Sequence, residues 1–254
     1  MAIVCTFQLC WTIEVHRCLT PFNFKALNSL YSRYINYVIS LTSELKNYSI
    51  KRLRNLLMSL ITILIQQKDI IQLLLDKNIT RSTDFEWVAQ LQYYLVEDCI
   101  EVSIFNTTIK YGYEYSYYKQ HIINTPLTDR CFHTLMQAYK YHLYGAITGP
   151  SATGKSETLK SLAKTIAIQF RSFNCTNTLS YNFLSQVFKG FISCGVWLCF
   201  KNFDTLKIDL LSKLAQTLTS IFQIIATNLK ITMFEGSSLR IQKKKLTKNM
   251  MVHI

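Results

Sequence analysis

Apolar residues recur at helical spacing through most of the first hundred positions. Leu53, Leu56, Leu57, Leu60 and Leu64, followed by Ile70, Ile71, Leu74 and Leu75, form one such stripe. A stripe of this period marks the core-facing side of a helix. The spacing predicts helices over roughly 26–47, 50–76 and 83–95. Between Glu101 and Tyr113 the period shortens to two and β-branched and aromatic residues take over. That pattern predicts one or two strands around a turn at Asn106.

Past residue 125 helices and strands alternate. TPLTDRCFHTLMQAYKYHL (125–143) reads as a helix with Thr128 as its N-cap and Leu127, Cys131, Leu135 and Ala138 along its buried face. YGAIT (144–148) is a short buried strand. The next helix carries Leu159, Leu162, Ala163 and Ile166 on one side, and RSFNC (171–175) is a second strand. Leu184, Val187, Phe188 and Phe191 line a further helix. VWLCF (196–200) is continuously apolar, as a strand covered on both faces should be. A helix over 206–227 and a hairpin over 229–242 close the series. This alternation implies a parallel sheet with crossover helices, so the fold class is α/β, with a mostly helical segment in front.

Composition narrows the picture. The 254 residues are 49% hydrophobic and 17% charged, enough apolar material for a packed core. The net charge of +13 suits phosphate-rich or acidic partners, or simply a lysine-rich solvated surface. Part of it is local: residues 230–254 hold six Lys/Arg and one Glu, and Lys243-Lys244-Lys245 reads as solvated tail. Basic and aromatic residues are not arrayed together, so nucleic acid is not an expected partner. The eight cysteines form no C-x-x-C pair and sit among apolar residues, which predicts reduced, buried thiols in an intracellular protein. Five scattered histidines give no metal-binding spacing. The apolar N-terminus has no basic n-region or small-residue cleavage site. The runs 55–67, 172–188 and 214–229 are too short or too polar to span a bilayer, so no membrane association is expected.

The chemistry gathers at GPSATGKS: Gly149, Pro150, Ser151, Ala152, Thr153, Gly154, Lys155 and Ser156. These eight residues match the phosphate-binding loop G-x-x-x-x-G-K-[ST] and lie between a strand and a helix, the context the motif requires. Gly149 and Gly154 permit tight turns and close backbone approach to phosphate. The N–H groups of 152–156 and the helix dipole favour an anion there. Lys155 would reach the β- and γ-phosphates of ATP or ADP, and Ser156 would ligand Mg²⁺. Hydrolysis also needs carboxylates at the end of a neighbouring strand, one for the metal and one for the attacking water. After VWLCF come Lys201 and Asn202, neither acidic. At about 6 Å, a lysine repels a divalent ion by about 5 kcal/mol at an effective dielectric near 20, and by about 1 kcal/mol in water. Lys201 would instead turn away or contact phosphate. Asp204 or Glu157 would be the substitute carboxylate of a weak ATPase, although Asp204 more naturally caps the helix after it.

FEWVAQLQYY (85–94), YGYEY (111–115), TPLTDRCFHTLMQA (125–138), GPSATGKSETLKSLAK (149–164), residues 173–200 and FEG (234–236), together with WTIEVH (11–16), resemble the dynein heavy chain motor in that order. The resemblance covers nearly the whole chain. It implies that residues 1–105 are the C-terminal part of the linker, 106–240 a partial AAA+ P-loop module, and 241–254 a basic, divergent tail. It also implies that Pro126, Leu127 and Thr128 lie beside the adenine. The family is a minus-end-directed microtubule motor ATPase. Axonemal members bend cilia and flagella, so a cytoskeletal, ciliary setting is implied, with microtubules and other dynein subunits as partners. The departures are specific. Lys201-Asn202 stands where the family has Asp-Glu, Asp204-Thr205 where asparagine-arginine is usual. The sensor strand, the arginine finger and the microtubule-binding domain are not expected here. The expectation is a truncated product that binds ATP or ADP and has lost hydrolysis. The alternatives are a non-catalytic module that associates with dynein or other partners, and the weak ATPase.

Overall fold

The computed structural model describes residues 2–47, 50–114, 122–141, 143–227, 231–234, 237–240 and 250–253. They divide into two compact units, 1–133 and 134–254. The division falls well after the expected boundary at 105/106. The strand meander that follows the helices belongs to the first unit, as does the start of the next helix.

The first unit opens with α1 (Ala2–Leu19), which the apolar N-terminus did not announce as a helix, and continues with α2 (Phe24–Asn47) and α3 (Lys51–Asp76). The two predicted helices over 26–47 and 50–76 are thus present. Trp11, Val15, Leu27, Leu30, Tyr34, Leu64, Ile71, Leu74 and Trp87 form one buried cluster. The α3 stripe is buried only in its second half: Leu64, Ile71 and Leu74 are in the core, while Leu53 stays 41% exposed. On length and composition alone, the stretch Leu53–Asp76 could cross a membrane. Here its buried residues pack in the core with α1 and α2.

The helix expected over 83–95 is mostly absent. Only Phe85–Val88 (α4) is helical, and Gln92–Val96 is strand β1. It pairs antiparallel with β2 (Cys99–Ile104), which pairs with β3 (Thr107–Lys110) around the predicted turn. The apolar spacing of FEWVAQLQYY cannot reveal this pairing, because strand formation here depends on a partner later in the chain. Thr12 fixes β1 to α1: its buried hydroxyl donates to Gln8 O at 2.9 Å and accepts from Tyr93 N–H at 3.2 Å.

Helix α5 (Pro126–Lys140) begins one turn ahead of its expected cap. Thr125 caps it: Thr128 N–H donates to Thr125 Oγ1 at 3.4 Å, and Thr125 N–H donates to Thr128 Oγ1 at 2.7 Å. This is a reciprocal capping arrangement with Pro126 at the first helical position. Thr128 is therefore inside the first turn. The buried side is Phe132, Leu135 and Met136, and Leu127 is 74% exposed.

In the second unit β4 (Gly145–Ile147), β5 (Phe170–Asn174) and β6 (Trp197–Lys201) lie in one parallel sheet. Helices α6 (Lys155–Thr165), α7 (Tyr181–Cys194) and α8 (Ile208–Thr227) alternate with them. The expected faces hold: Leu159, Leu162, Ala163 and Ile166 are fully buried, as are Leu184, Phe188 and Phe191. Trp197, Leu198, Cys199 and Phe200 are buried as a continuous run. The predicted hairpin is β7 (Ile231–Phe234) with β8 (Ser237–Arg240), a separate two-stranded sheet. Of the stretch expected as a divergent tail, 241–249 and so Lys243–Lys245 lie outside the described residues. Met250–His253 form β9, a parallel strand seated between β4 and β6. Its apolar run is only three residues, Met250–Val252, and follows a lysine cluster, which hid its strand character.

Candidate functional site

Strand β4 delivers the chain into the 149–156 loop at the carboxyl end of the sheet. The loop is held by three residues with positive φ: Gly149 at 153°, Ala152 at 64° and Gly154 at 85°. For the glycines this costs no steric strain, whereas alanine is rarely left-handed. Gly154 is the residue before α6, and its carbonyl accepts the Thr158 N–H at 2.9 Å and the Thr158 hydroxyl at 3.0 Å. That leaves the N–H groups of Lys155, Ser156 and Glu157 without intrahelical acceptors. Thr153 Oγ1 donates to Pro150 O at 3.0 Å. The Lys155 ammonium folds over the loop, donating to Gly149 O and, at 3.0 Å, to Pro150 O. Ser151 is exposed and Ser156 half-buried. The loop thus offers backbone donors, a dipole end and one lysine on a single concave turn, a donor set suited to phosphate.

The other half of the site lies at the end of β6. Lys201 stands level with Asn174 of β5, and Cys175 N–H donates to Lys201 O at 2.9 Å. Asn202 is left-handed (φ 53°, ψ 48°), and its amide donates to Asn174 Oδ1 at 2.9 Å. The Asn174–Asn202 tie, between residues far apart in the chain, was not anticipated. The Thr205 hydroxyl is shared between Asn202 O at 2.8 Å and Cys175 O at 3.1 Å. Asp204 lies within the 3-10 turn Phe203–Thr205 rather than capping α8, which starts at Ile208. Glu157 is drawn to Lys160, 2.5 Å away across one helical turn. Among the described residues, no carboxylate pairs with Lys201, and no three His, Cys, Asp or Glu side chains gather as a metal site.

Two buried thiols lie here, Cys199 within β6 and Cys175 directly after β5. Burial pushes Cys199 up to about 11, against the opposing fields of Lys201 and Lys160. Burial also pushes Cys175 up to about 11, with the negative charge of Asp204 adding to it. All eight cysteines are free, but not all are buried as expected: Cys10, Cys99 and Cys194 are exposed. Pro126, Leu127 and Thr128 open α5 in the first unit, while the 149–156 loop belongs to the second.

A family model described as the hydrolytic ATP binding site of the dynein motor region matches residues 111–252, more than half of the chain. The chain belongs to the dynein heavy chain family. It is 36% identical to dynein axonemal heavy chain 12 of Rattus norvegicus over 239 residues, covering 94% of this chain and 8% of that protein. To dynein axonemal heavy chain 3 of Homo sapiens it is 36% identical over 237 residues, covering 93% and 6%. To dynein axonemal heavy chain 1 of Mus musculus it is 36% identical over 229 residues, covering 90% and 5%. The dynein segment in hand therefore spans less than a tenth of the length of these relatives. The match reaches residue 252, so it takes in most of β9.

Proposed function

We propose that this chain is an axonemal-type dynein motor segment whose second unit holds ATP or ADP on Gly149–Ser156 and does not hydrolyse it. Lys155 binds the terminal phosphates once its ammonium leaves the loop carbonyls, and the free N–H groups at the start of α6 bind the β-phosphate. Pro126, Leu127 and Thr128 contact the adenine. Residues 1–105 serve as linker and residues 106–240 as the nucleotide-binding part of an AAA+ module. Microtubules, other dynein subunits and a ciliary axoneme are the setting the family supplies.

The observation that carries the loss of hydrolysis is the end of β6. The two positions that should orient metal and water are Lys201, a cation, and Asn202, whose amide is taken up by Asn174 at 2.9 Å. The substitute carboxylates are poorly disposed for the weak-ATPase alternative: Glu157 is held by Lys160, and Asp204 by its place in the 3-10 turn. Ser156 alone would hold Mg²⁺, too few ligands for a tight site.

The test is thermal unfolding with ATP and ADP alongside phosphate release. Nucleotide should raise the unfolding temperature, and Lys155→Ala should abolish that rise. Release should stay at background. Turnover that Lys155→Ala removes would establish the weak ATPase instead. A partner-binding role draws support from the first unit, where Ile39, Ile50, Leu53, Met58 and Ile65 are all exposed. Co-purification with dynein subunits that survives the Lys155→Ala change would favour it.

A further inference from the structure

We propose that Lys201 takes the place of the divalent cation, so that the site binds the polyphosphate of a metal-free nucleotide. This rests on the nucleotide reading above and specifies the form of ligand it takes. The sheet register fixes where Lys201 stands. Ala146, Val252 and Phe200 are level across β4, β9 and β6. One residue further along, Ile147, His253, Lys201 and Asn174 form the last row before the loops. With strands about 4.8 Å apart, Lys201 lies about 10 Å from the axis of the strand that leads into the phosphate loop.

The face is fixed as well. Leu198 and Phe200 point into the cluster formed with Leu184, Phe188 and Leu214 from α7 and α8. Trp197 and Cys199 point to the other side, where the Trp197 ring meets Tyr139 of α5 at 6.3 Å and the Cys199 thiol feels Lys160 of α6. Strand alternation puts Lys201 on that same side, the side of the helix whose first turn carries Lys155 and Ser156. The cation is half-buried and has no carboxylate partner among the described residues. Two lysines, 155 and 201, thus bracket the phosphate position, while Glu157 is drawn to Lys160 and, among the described residues, no three His, Cys, Asp or Glu side chains gather to hold a metal. The donor set disagrees with Mg²⁺ and suits a tetra-anionic polyphosphate.

The experiment is calorimetric titration of ATP into the full chain, once with excess Mg²⁺ and once with excess chelator, repeated for Lys201→Met, Lys201→Arg and Lys201→Asp. Inorganic tripolyphosphate serves as competitor in the chelator series. The wild-type chain should bind ATP within about twofold under both conditions, and tripolyphosphate should displace it. Lys201→Met should lose roughly tenfold to a hundredfold in chelator, the worth of one charge-assisted contact, at an unchanged unfolding temperature. Lys201→Arg should retain binding, and this pair of variants separates charge from folding. Lys201→Asp should bind only with Mg²⁺. Wild-type binding that requires Mg²⁺, or Lys201→Met binding as tightly as wild type, overturns the proposal while leaving the nucleotide reading intact. No binding under either condition overturns the nucleotide reading itself.

Discussion

Strand β9 is the attachment on which the phosphate loop depends. The sheet order is β4-β9-β6-β5, so among the described residues β4 reaches the rest of the sheet only through Met250–His253. Gly145, Ala146 and Ile147 pair with Met251, Val252 and His253, while Leu198, Cys199 and Phe200 pair with Met250, Met251 and Val252. Three residues in register on each side supply roughly two backbone hydrogen bonds per side, four in all. At a net value of about 1 kcal/mol each, that is about 4 kcal/mol, a large share of a typical domain stability of about 5–15 kcal/mol. Deleting residues 250–254 should therefore lower the urea midpoint of the second unit and free the amides of 145–147. Met251→Pro removes a single donor from the centre of the ladder and should produce a smaller loss in the same direction. Hydrogen exchange read by mass spectrometry on the peptide covering 144–148 is the assay. Exchange there should rise by two orders of magnitude or more, with peptides of the first unit unchanged; about 4 kcal/mol corresponds to roughly a thousandfold. An unchanged urea midpoint and unchanged exchange at 145–147 in the shortened chain would refute the reasoning.

In the first unit, Trp87 is 1% exposed and its ring lies 5.4 Å from that of Trp11; Trp87→Ala should cost about 3–5 kcal/mol, read from denaturant unfolding. Gly154→Ala meets no atom within 4 Å of its new Cβ yet must hold φ at 85°, so a loss of about 1–2 kcal/mol without steric clash is expected, visible as a lower unfolding temperature. Cys175 and Cys199 ionise near 11 in the folded chain against an ordinary value of 9.0. Their folded values are raised, so the stability they contribute is complete below about pH 9 and fades as pH rises from there toward 11. Alkaline unfolding should ease over that window in wild type and less so in the double change to alanine. A thiol reagent at neutral pH should modify Cys10, Cys99 and Cys194 quickly and Cys175 and Cys199 only on unfolding.

Much of the second unit was legible because its signals are local. The Leu159–Leu162–Ile166 face and the apolar run of β6 each state their structure within a few residues. What escaped depended on distant partners. FEWVAQLQYY keeps helical spacing, but from Gln92 its backbone is claimed by β2 and by Thr12 of α1. Helix α1 buries Val4, Cys5, Trp11, Thr12, Val15, Cys18 and Leu19, a spread too broad and too mixed to read as one stripe. In α5 the choice of capping residue turned the expected face: with Thr125 as cap, Leu127 falls in the exposed first turn. The strand before the 149–156 loop and the helix after it were readable locally. The loop's partners were not, since the Asn174–Asn202 bond and the row shared by Ile147, His253 and Lys201 exist only once the sheet is assembled.

The most direct test of the central claim is to identify what the chain holds after exposure to ATP. Purified chain is incubated with ATP, freed of excess nucleotide, denatured, and its bound nucleotide separated by chromatography. On the proposed reading of the 149–156 loop and of Lys201-Asn202, the chain should release ATP in near-stoichiometric amount, unchanged after prolonged incubation. Conversion of the bound ATP to ADP, or recovery of no nucleotide at all, would contradict the account.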